Sequence, residues 1–238
     1  NGININEHCG ALHTESLHRT VLDRDADIGI AFDGDGDRLI AVDRKGNVLD
    51  GDHIILLIAM YLRREGEADT TVIGTTMANL GFEKALEKQG LKLIRTDVGD
   101  KYVYREMKRT GAMIGGEQSG HIILKGFQTG DGLVSALFFI AAIHQLDYRI
   151  EEISGLIDSF PQVIRSYPVE EKIPIDEWPA LKQLMDEFVK NHSDSSRLVI
   201  RYSGTEPKIR VMIESESQEL ITRYEKKFEY IITGTSRE

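Results

Sequence analysis

The chain has 238 residues, 41% of them hydrophobic and 29% charged, and carries a net charge of −10. Such a composition can bury a core, while the negative balance argues against nucleic acid or an anionic membrane as partner, because phosphate surfaces select basic proteins. Cys9 is the single cysteine, so no intrachain disulfide forms, and a reducing, cytoplasmic setting fits.

In chain order, Leu17, Val21 and Leu22 recur at helical spacing within residues 14–26. Residues 27–32 read as an apolar strand and 39–42 as its partner. A polar turn with Gly46 then leads by a hairpin into Val48 and Leu49. Residues 1–47 are few for an independent domain and read as the truncated end of another α/β domain. From residue 50 the pattern changes: helix 52–64, strand 70–74, helix 79–89 stopped by Gly90, strand 91–96 and helix 100–109. Strand 112–115, an extended piece at 122–124 and a long, mostly buried helix at 131–146 follow. This alternation predicts a layered α/β domain over residues 48–160, with a mixed, mostly parallel sheet. Pro161, Pro168 and Pro174 mark a linker. Beyond it, helix 176–191, strands 197–202 and 208–213 and helix 218–232 predict a C-terminal α+β domain over residues 161–238. The longest apolar runs, 54–62 and 133–143, fall short of the roughly 20 residues of a membrane span. No signal peptide is seen, and the chain opens on Asn1, which reads as a piece of something longer.

Three loops carry chemistry. At 33–38, Asp33, Asp35 and Asp37 alternate with glycines and are closed by Arg38. Three carboxylates this close repel one another, and a hard divalent cation such as Mg2+ relieves the repulsion while leaving coordination places for a phosphate oxygen. A calcium-binding EF-hand shares the alternate aspartates but needs glycine at its sixth place and glutamate at its twelfth, which here are Arg38 and Arg44. Arg38 is placed to hold the same phosphate, or to make a structural salt bridge. At 115–121, glycines around Glu117, Ser119 and His121 let a strand end turn sharply, with donors and acceptors suited to sugar hydroxyls. A plain β-turn with incidental polar residues is the competing account. At 197–210, Arg197, Arg201, Lys208 and Arg210 face only Glu206, and Ser203, Gly204 and Thr205 lie among them. Hydroxyls and backbone N–H groups there can cup a phosphate that arginine grips bidentately. A ligand needing all three loops is a sugar phosphate undergoing metal-assisted phosphoryl chemistry.

These three loops, in this order and spacing, resemble the α-D-phosphohexomutase superfamily and, within it, the bacterial phosphoglucosamine mutases. Gly-Glu-Gln-Ser-Gly-His at 116–121, Val98-Gly99-Asp100-Lys101-Tyr102-Val103, Thr129-Gly130-Asp131-Gly132 and Arg-Tyr-Ser-Gly-Thr-Glu-Pro at 201–207 carry the likeness, which covers essentially all 238 residues. It implies the end of a second mutase domain at 1–47, a third at 48–160 and a fourth at 161–238. It also implies Mg2+ on Asp33, Asp35 and Asp37, and sugar hydroxyls on Glu117 and Ser119. His121, with Arg38 and Lys101, would lie beside the transferring phosphate, and Arg201, Ser203, Gly204, Thr205 and Arg210 would hold the distal one. The reaction implied converts glucosamine 6-phosphate to glucosamine 1-phosphate through a phosphoserine and a bisphosphorylated sugar.

The sequence departs from that pattern in one decisive respect. The phosphoserine of the superfamily sits in a Ser-His-Asn-Pro type loop of the first domain, and none of the 238 residues form it. The chain alone is therefore expected to bind metal and sugar phosphate without turnover. Lys101 stands where arginine is more usual, keeping charge but losing the fork, and Asp97 stands where lysine or a small residue is frequent. The intact enzyme is expected to dimerise through its first domain, and this chain to be monomeric. Two other classes compete: a non-catalytic sugar-phosphate-binding module, favoured by the missing serine, and a Mg2+-dependent phosphatase using Asp33 as nucleophile.

Overall fold

The computed structural model describes residues 2–66, 70–204 and 206–234. In the first compact unit, residues 1–158, helix α1 (Glu15–Arg24) precedes three antiparallel strands, β1 (Ile28–Phe32), β2 (Leu39–Asp43) and β3 (Val48–Leu49). Their order is β1-β2-β3, with Ile28 opposite Asp43 and Phe32 opposite Leu39. Asp43, though fully buried, accepts the backbone N–H groups of Lys45 and Asn47 and the Asn47 side chain, which closes the hairpin turn.

Helix α2 (Gly51–Arg64) starts on Asp50, whose carboxylate accepts the His53 N–H. Residues Gly51 to Ala59 are all buried, so the helix runs through the core rather than along it. Strand β4 (Thr71–Thr75), helix α3 (Leu80–Lys88), strand β5 (Lys92–Thr96), helix α4 (Asp100–Thr110), strands β6 (Ile114–Gly116) and β7 (Ile122–Leu124), and helices α5 (Gly132–Gln145) and α6 (Ile150–Ile153) follow. The four strands lie in the order β5-β4-β6-β7: β4 pairs in parallel with both neighbours, and β7 returns antiparallel to β6. Alternate residues of β4 serve opposite faces. Val72 joins the large core of α2, α3 and α5 with Leu39, Phe82 and Phe139, whereas Ile73 packs with Val103 and Met107 of α4 on the other side. Helix α3 ends at Gly90, which has φ +65° while the Leu91 N–H reaches back to the Leu86 carbonyl, as the sequence predicts. Helix α6 is an element the sequence reading passes over.

The second unit, residues 159–238, contains β8 (Gln162–Pro168), α7 (Pro179–His192), β9 (Ser196–Tyr202), β10 (Lys208–Ser215) and α8 (Gln218–Thr233). Its antiparallel sheet has the order β8-β10-β9. Ile209, Val211 and Ile213 of β10 pack on Leu181, Leu184 and Phe188 of α7 and on Ile221, Tyr224 and Phe228 of α8. The stretch expected to be a proline-marked linker holds a full strand. Pro161 and Pro168 sit at the ends of this edge strand, where a missing N–H costs no ladder bond, while Pro174 precedes a 3-10 turn, and only Tyr167 among the strand's residues is buried. The expected helix at 176–191 begins later: Ile175–Glu177 form a 3-10 turn, and α7 starts with Pro179 at its first position. Among the described residues, no single helix is long and apolar enough to cross a membrane.

Candidate functional site

The aspartate loop leaves β1 at Phe32 and turns on Gly36, which has φ +74° and donates its N–H to the Asp33 carbonyl (3.1 Å). Asp33, Asp35 and Asp37 each bring one carboxylate oxygen within 4.8 Å of the others. Their repulsion is opposed by the protein itself. The Arg38 N–H donates to Asp33 Oδ1 at 3.1 Å, and Arg38 Nε lies 3.5 Å from Asp33 Oδ2 and 3.8 Å from Asp37 Oδ1. Asp37 Oδ1 and Arg38 Nε are nonetheless buried without a hydrogen-bond partner. An orphaned carboxylate oxygen beside two further acid oxygens fits a hard cation bound through oxygen, and Mg2+ suits that donor set.

His121 is buried and reaches this loop from the connection between β6 and β7. The Gly130 N–H donates to its Nε2 (3.1 Å), which leaves the ring proton on Nδ1 to be donated to Asp37 Oδ2 at 2.9 Å. Both ring nitrogens are thus engaged, and the histidine braces an acid of the loop. Gly130 is required for this approach: a Cβ there would lie 2.7 Å from the Asp37 carbonyl oxygen and 2.9 Å from the imidazole. The Gly132 N–H, at the start of α5, donates to the Gly36 carbonyl (2.9 Å). The motif at 129–132, noticed in the sequence only for its likeness, is therefore the buttress of the aspartate loop.

The loop at 117–121 is bonded to the strand that follows the aspartates. Arg38 and His121 form an isolated antiparallel bridge, and the Leu39 N–H donates to the Gly120 carbonyl (3.0 Å). Gln118 clasps the other side: its carbonyl accepts the Gly51 N–H (3.0 Å), and its amide donates to Asp50 Oδ2 (3.0 Å). Asp50 also receives His53 Nδ1 at 2.6 Å. Burial pushes the Asp50 carboxyl up, but the bonds and charge from His53 and the Gln118 amide outweigh it and hold the group below its ordinary value. Glu117 Oε1 accepts the Gly99 N–H (3.0 Å) ahead of α4. Lys101, in the first turn of α4, is exposed, with its ammonium 4.8 Å from the centre of the Tyr102 ring. Glu117 and Ser119 are half-buried, and the loop carrying them leaves the carboxyl end of β6. This lies beside the end of β4, where the chain leads from β4 toward β5 and from β6 toward β7, at opposite edges of the sheet, the usual ligand position in such sheets.

The basic loop belongs to the second unit. Arg201 of β9 lies directly opposite Arg210 of β10 in the ladder. Like charges in that register destabilise a sheet unless an anion lies between them. Glu206 lies 2.6 Å from Lys208 Nζ and 3.7 Å from an Arg210 nitrogen, and the hydrogen bond from Lys208 is the main cause that holds its carboxyl below the ordinary range. Ser203 is buried and donates its N–H to the Lys208 carbonyl (2.8 Å), while its hydroxyl accepts the Glu206 N–H (3.3 Å). Gly204 is exposed with open space beside it. Thr205, named from the sequence, lies outside the described residues. Sequence reasoning missed Lys172, whose Nζ donates to the Ser203 carbonyl at 2.7 Å, and the clasp of Asp50, His53 and Gln118. Both join residues far apart in the chain.

An α/β unit with an acidic loop braced by a histidine, followed by a small α+β unit with a basic loop, is the arrangement of the phosphohexomutases, and the comparisons agree. The family domain described as "Phosphoglucomutase/phosphomannomutase, alpha/beta/alpha domain III" matches residues 50–161, and "Phosphoglucomutase/phosphomannomutase, C-terminal domain" matches residues 167–230. The chain belongs to the phosphoglucomutase/phosphomannomutase family. Among sequence relatives, "Phosphoglucosamine mutase" of Bacillus pumilus is 46% identical over 226 residues, covering 94% of this chain and 50% of the relative. The chain thus spans about half the length of the curated relatives it matches. N-acetylphosphoglucosamine mutase of Aspergillus fumigatus superposes with a TM-score of 0.76 at 21% identity, over 95% of this chain and 53% of that one. A structure of the same fungal enzyme with GlcNAc-6P and magnesium gives a TM-score of 0.74 at 18% identity, over 95% of this chain and 57% of that one. The structural likeness concerns the fold.

Proposed function

We propose that the chain is the metal-, sugar- and distal-phosphate-binding half of a phosphoglucosamine mutase, an isomerase interconverting glucosamine 6-phosphate and glucosamine 1-phosphate. In this reading residues 1–47, 48–160 and 161–238 are parts of its second, third and fourth domains. The observation that carries it is the convergence of three carboxylate oxygens within 4.8 Å at the tip of β1, braced by the loop that bears Glu117, Ser119 and His121. The 46% identity to a relative named phosphoglucosamine mutase supports the amino sugar as substrate.

Asp33, Asp35 and Asp37 would hold Mg2+, which when bound neutralises charge on phosphoryl oxygens as a Lewis acid. Arg38 and His121 touch the acids of that place, and Lys101 would approach it from the start of α4. Arg38 offers a guanidinium to the transferring phosphate, Lys101 offers an ammonium, and His121 keeps Asp37 in position through its Nδ1–H. Glu117 accepts and Ser119 donates to sugar hydroxyls. Arg201, Ser203, Gly204, Thr205 and Arg210 take the phosphate that stays on the sugar. The donor is a phosphoserine expected of the intact enzyme. Its phosphoryl group moves to the free sugar oxygen, giving a bisphosphorylated sugar, and the other phosphate returns to the serine as that intermediate turns round.

The test is the intact enzyme with glucosamine 6-phosphate and Mg2+, followed by 31P NMR. The expected product is glucosamine 1-phosphate, and the 238-residue chain alone is expected to bind the substrate without converting it. Preferential reaction of glucose or mannose phosphate would move the assignment to a sister mutase. Phosphate release by the chain alone would favour a phosphatase.

A further inference from the structure

The basic loop is tied to the segment between β8 and α7 by two side chains that point in opposite directions along the chain. Lys172 donates to the Ser203 carbonyl at 2.7 Å, and Tyr202 donates its hydroxyl to the Ile173 carbonyl at 2.6 Å. The Val169 N–H adds a third tie to the Pro207 carbonyl (3.0 Å). One segment therefore holds both shoulders of the loop.

Covalent geometry gives the first of these contacts a direction. No cis peptide occurs in the described chain, and in a planar trans unit the carbonyl and the following N–H point to opposite sides. Fixing the Ser203 carbonyl on Lys172 thus turns the Gly204 N–H away from the lysine, at a residue that is exposed and has open space where a Cβ would lie. Left to itself, an exposed glycine samples several orientations of that amide. A charge-assisted bond of this length selects one of them.

We propose that Lys172 is a positioning residue of the phosphate cup: by holding the Ser203 carbonyl it presents the Gly204 N–H to the ligand's distal phosphate, and its charge adds to that of Arg201 and Arg210. The proposal rests on the reading of 201–210 as an anion-binding loop. It deepens that reading with a residue 29 positions before Arg201 in the sequence.

The test titrates inorganic phosphate, without divalent metal, into the 15N-labelled 238-residue chain, following the Gly204 amide by NMR. In the unaltered chain this amide is expected to move downfield and saturate. Lys172→Met is expected to weaken binding about tenfold and to abolish the Gly204 shift, while Lys172→Arg restores most of both. Amide signals from α7, α8 and β10 that stay in place in the variants show that the unit remains folded, so a purely structural strap is told apart from an oriented donor. Equal affinity and an unchanged Gly204 shift in Lys172→Met would overturn the proposal. An unaltered chain that gives no phosphate response at all would remove the anion-binding reading beneath it.

Discussion

The two charged loops of the molecule are mirror images in sign. The aspartate loop gathers three acids and one base, Arg38. The loop at 197–210 gathers four bases and one acid, Glu206. Each carries a single internal counter-charge, within 4 Å of two of its opposites. They differ in bracing. The acid loop is held by neutral donors, namely the His121 ring on Asp37, the Arg38 N–H on Asp33 and the Gly132 N–H on the Gly36 carbonyl. The bases stand on two facing strands, with Arg201 opposite Arg210. A metal demands fixed oxygen geometry, which neutral hydrogen bonds supply without competing for the cation. A phosphate dianion is larger and tolerates a cup of long side chains around it.

Three changes strain this contrast, taken from the largest effect to the smallest. Asp35→Asn removes one acid that no other residue is needed to brace. Divalent binding to the chain, measured by calorimetry with Mg2+ or Mn2+, should weaken on the order of a hundredfold, because affinity follows the charge count of the ligands. The metal-free chain should meanwhile melt slightly higher, since a repulsive pair is relieved. Metal binding of the usual strength in Asp35→Asn would break the comparison. Glu206→Gln removes the counter-charge of the basic loop and should tighten inorganic phosphate binding about two- to fivefold at low salt, with the gain fading as salt rises. Weaker binding would mean that Glu206 orders the cations more than it opposes the anion.

The smallest effect is acid sensitivity at Asp50. Its carboxyl titrates below the ordinary 3.8 in the folded chain, so its contribution to stability is complete above that pH and is lost as pH falls through the lower folded value. Hydrogen exchange at Gly51 and in the loop at 117–121 should accelerate in that acid window. Asp50→Asn should flatten the dependence.

Much of this was legible in the sequence where the signal was local. The three aspartates fall within five residues, so their convergence needs only one turn of chain, and the glycines announce that turn. Helix α3 could be read with its stop because Asn79 and Gly90 lie at its own ends. The strand β8 was not legible, since its prolines look like a linker and only its pairing with β10 reveals a strand. The brace of Asp37 by His121 spans 84 positions and the clasp of Asp50 by Gln118 spans 68. Contacts at such separations are made by the packing of whole elements, and no spacing rule announces them. For His121, the sequence offers an imidazole near a phosphate, and the fold adds that both its nitrogens are engaged, with Asp37 and Gly130.

The bonds running from Leu39 to Gly120, from Gly132 to Gly36 and from Gly51 to Gln118 weld the acid tip and the turn at 117–121 into a single palm. On the proposed function, a sugar phosphate that offers first one end and then the other to that palm would gain nothing from any flexing of the hand. It would turn over by letting go, at a pace set by how loosely the palm releases it.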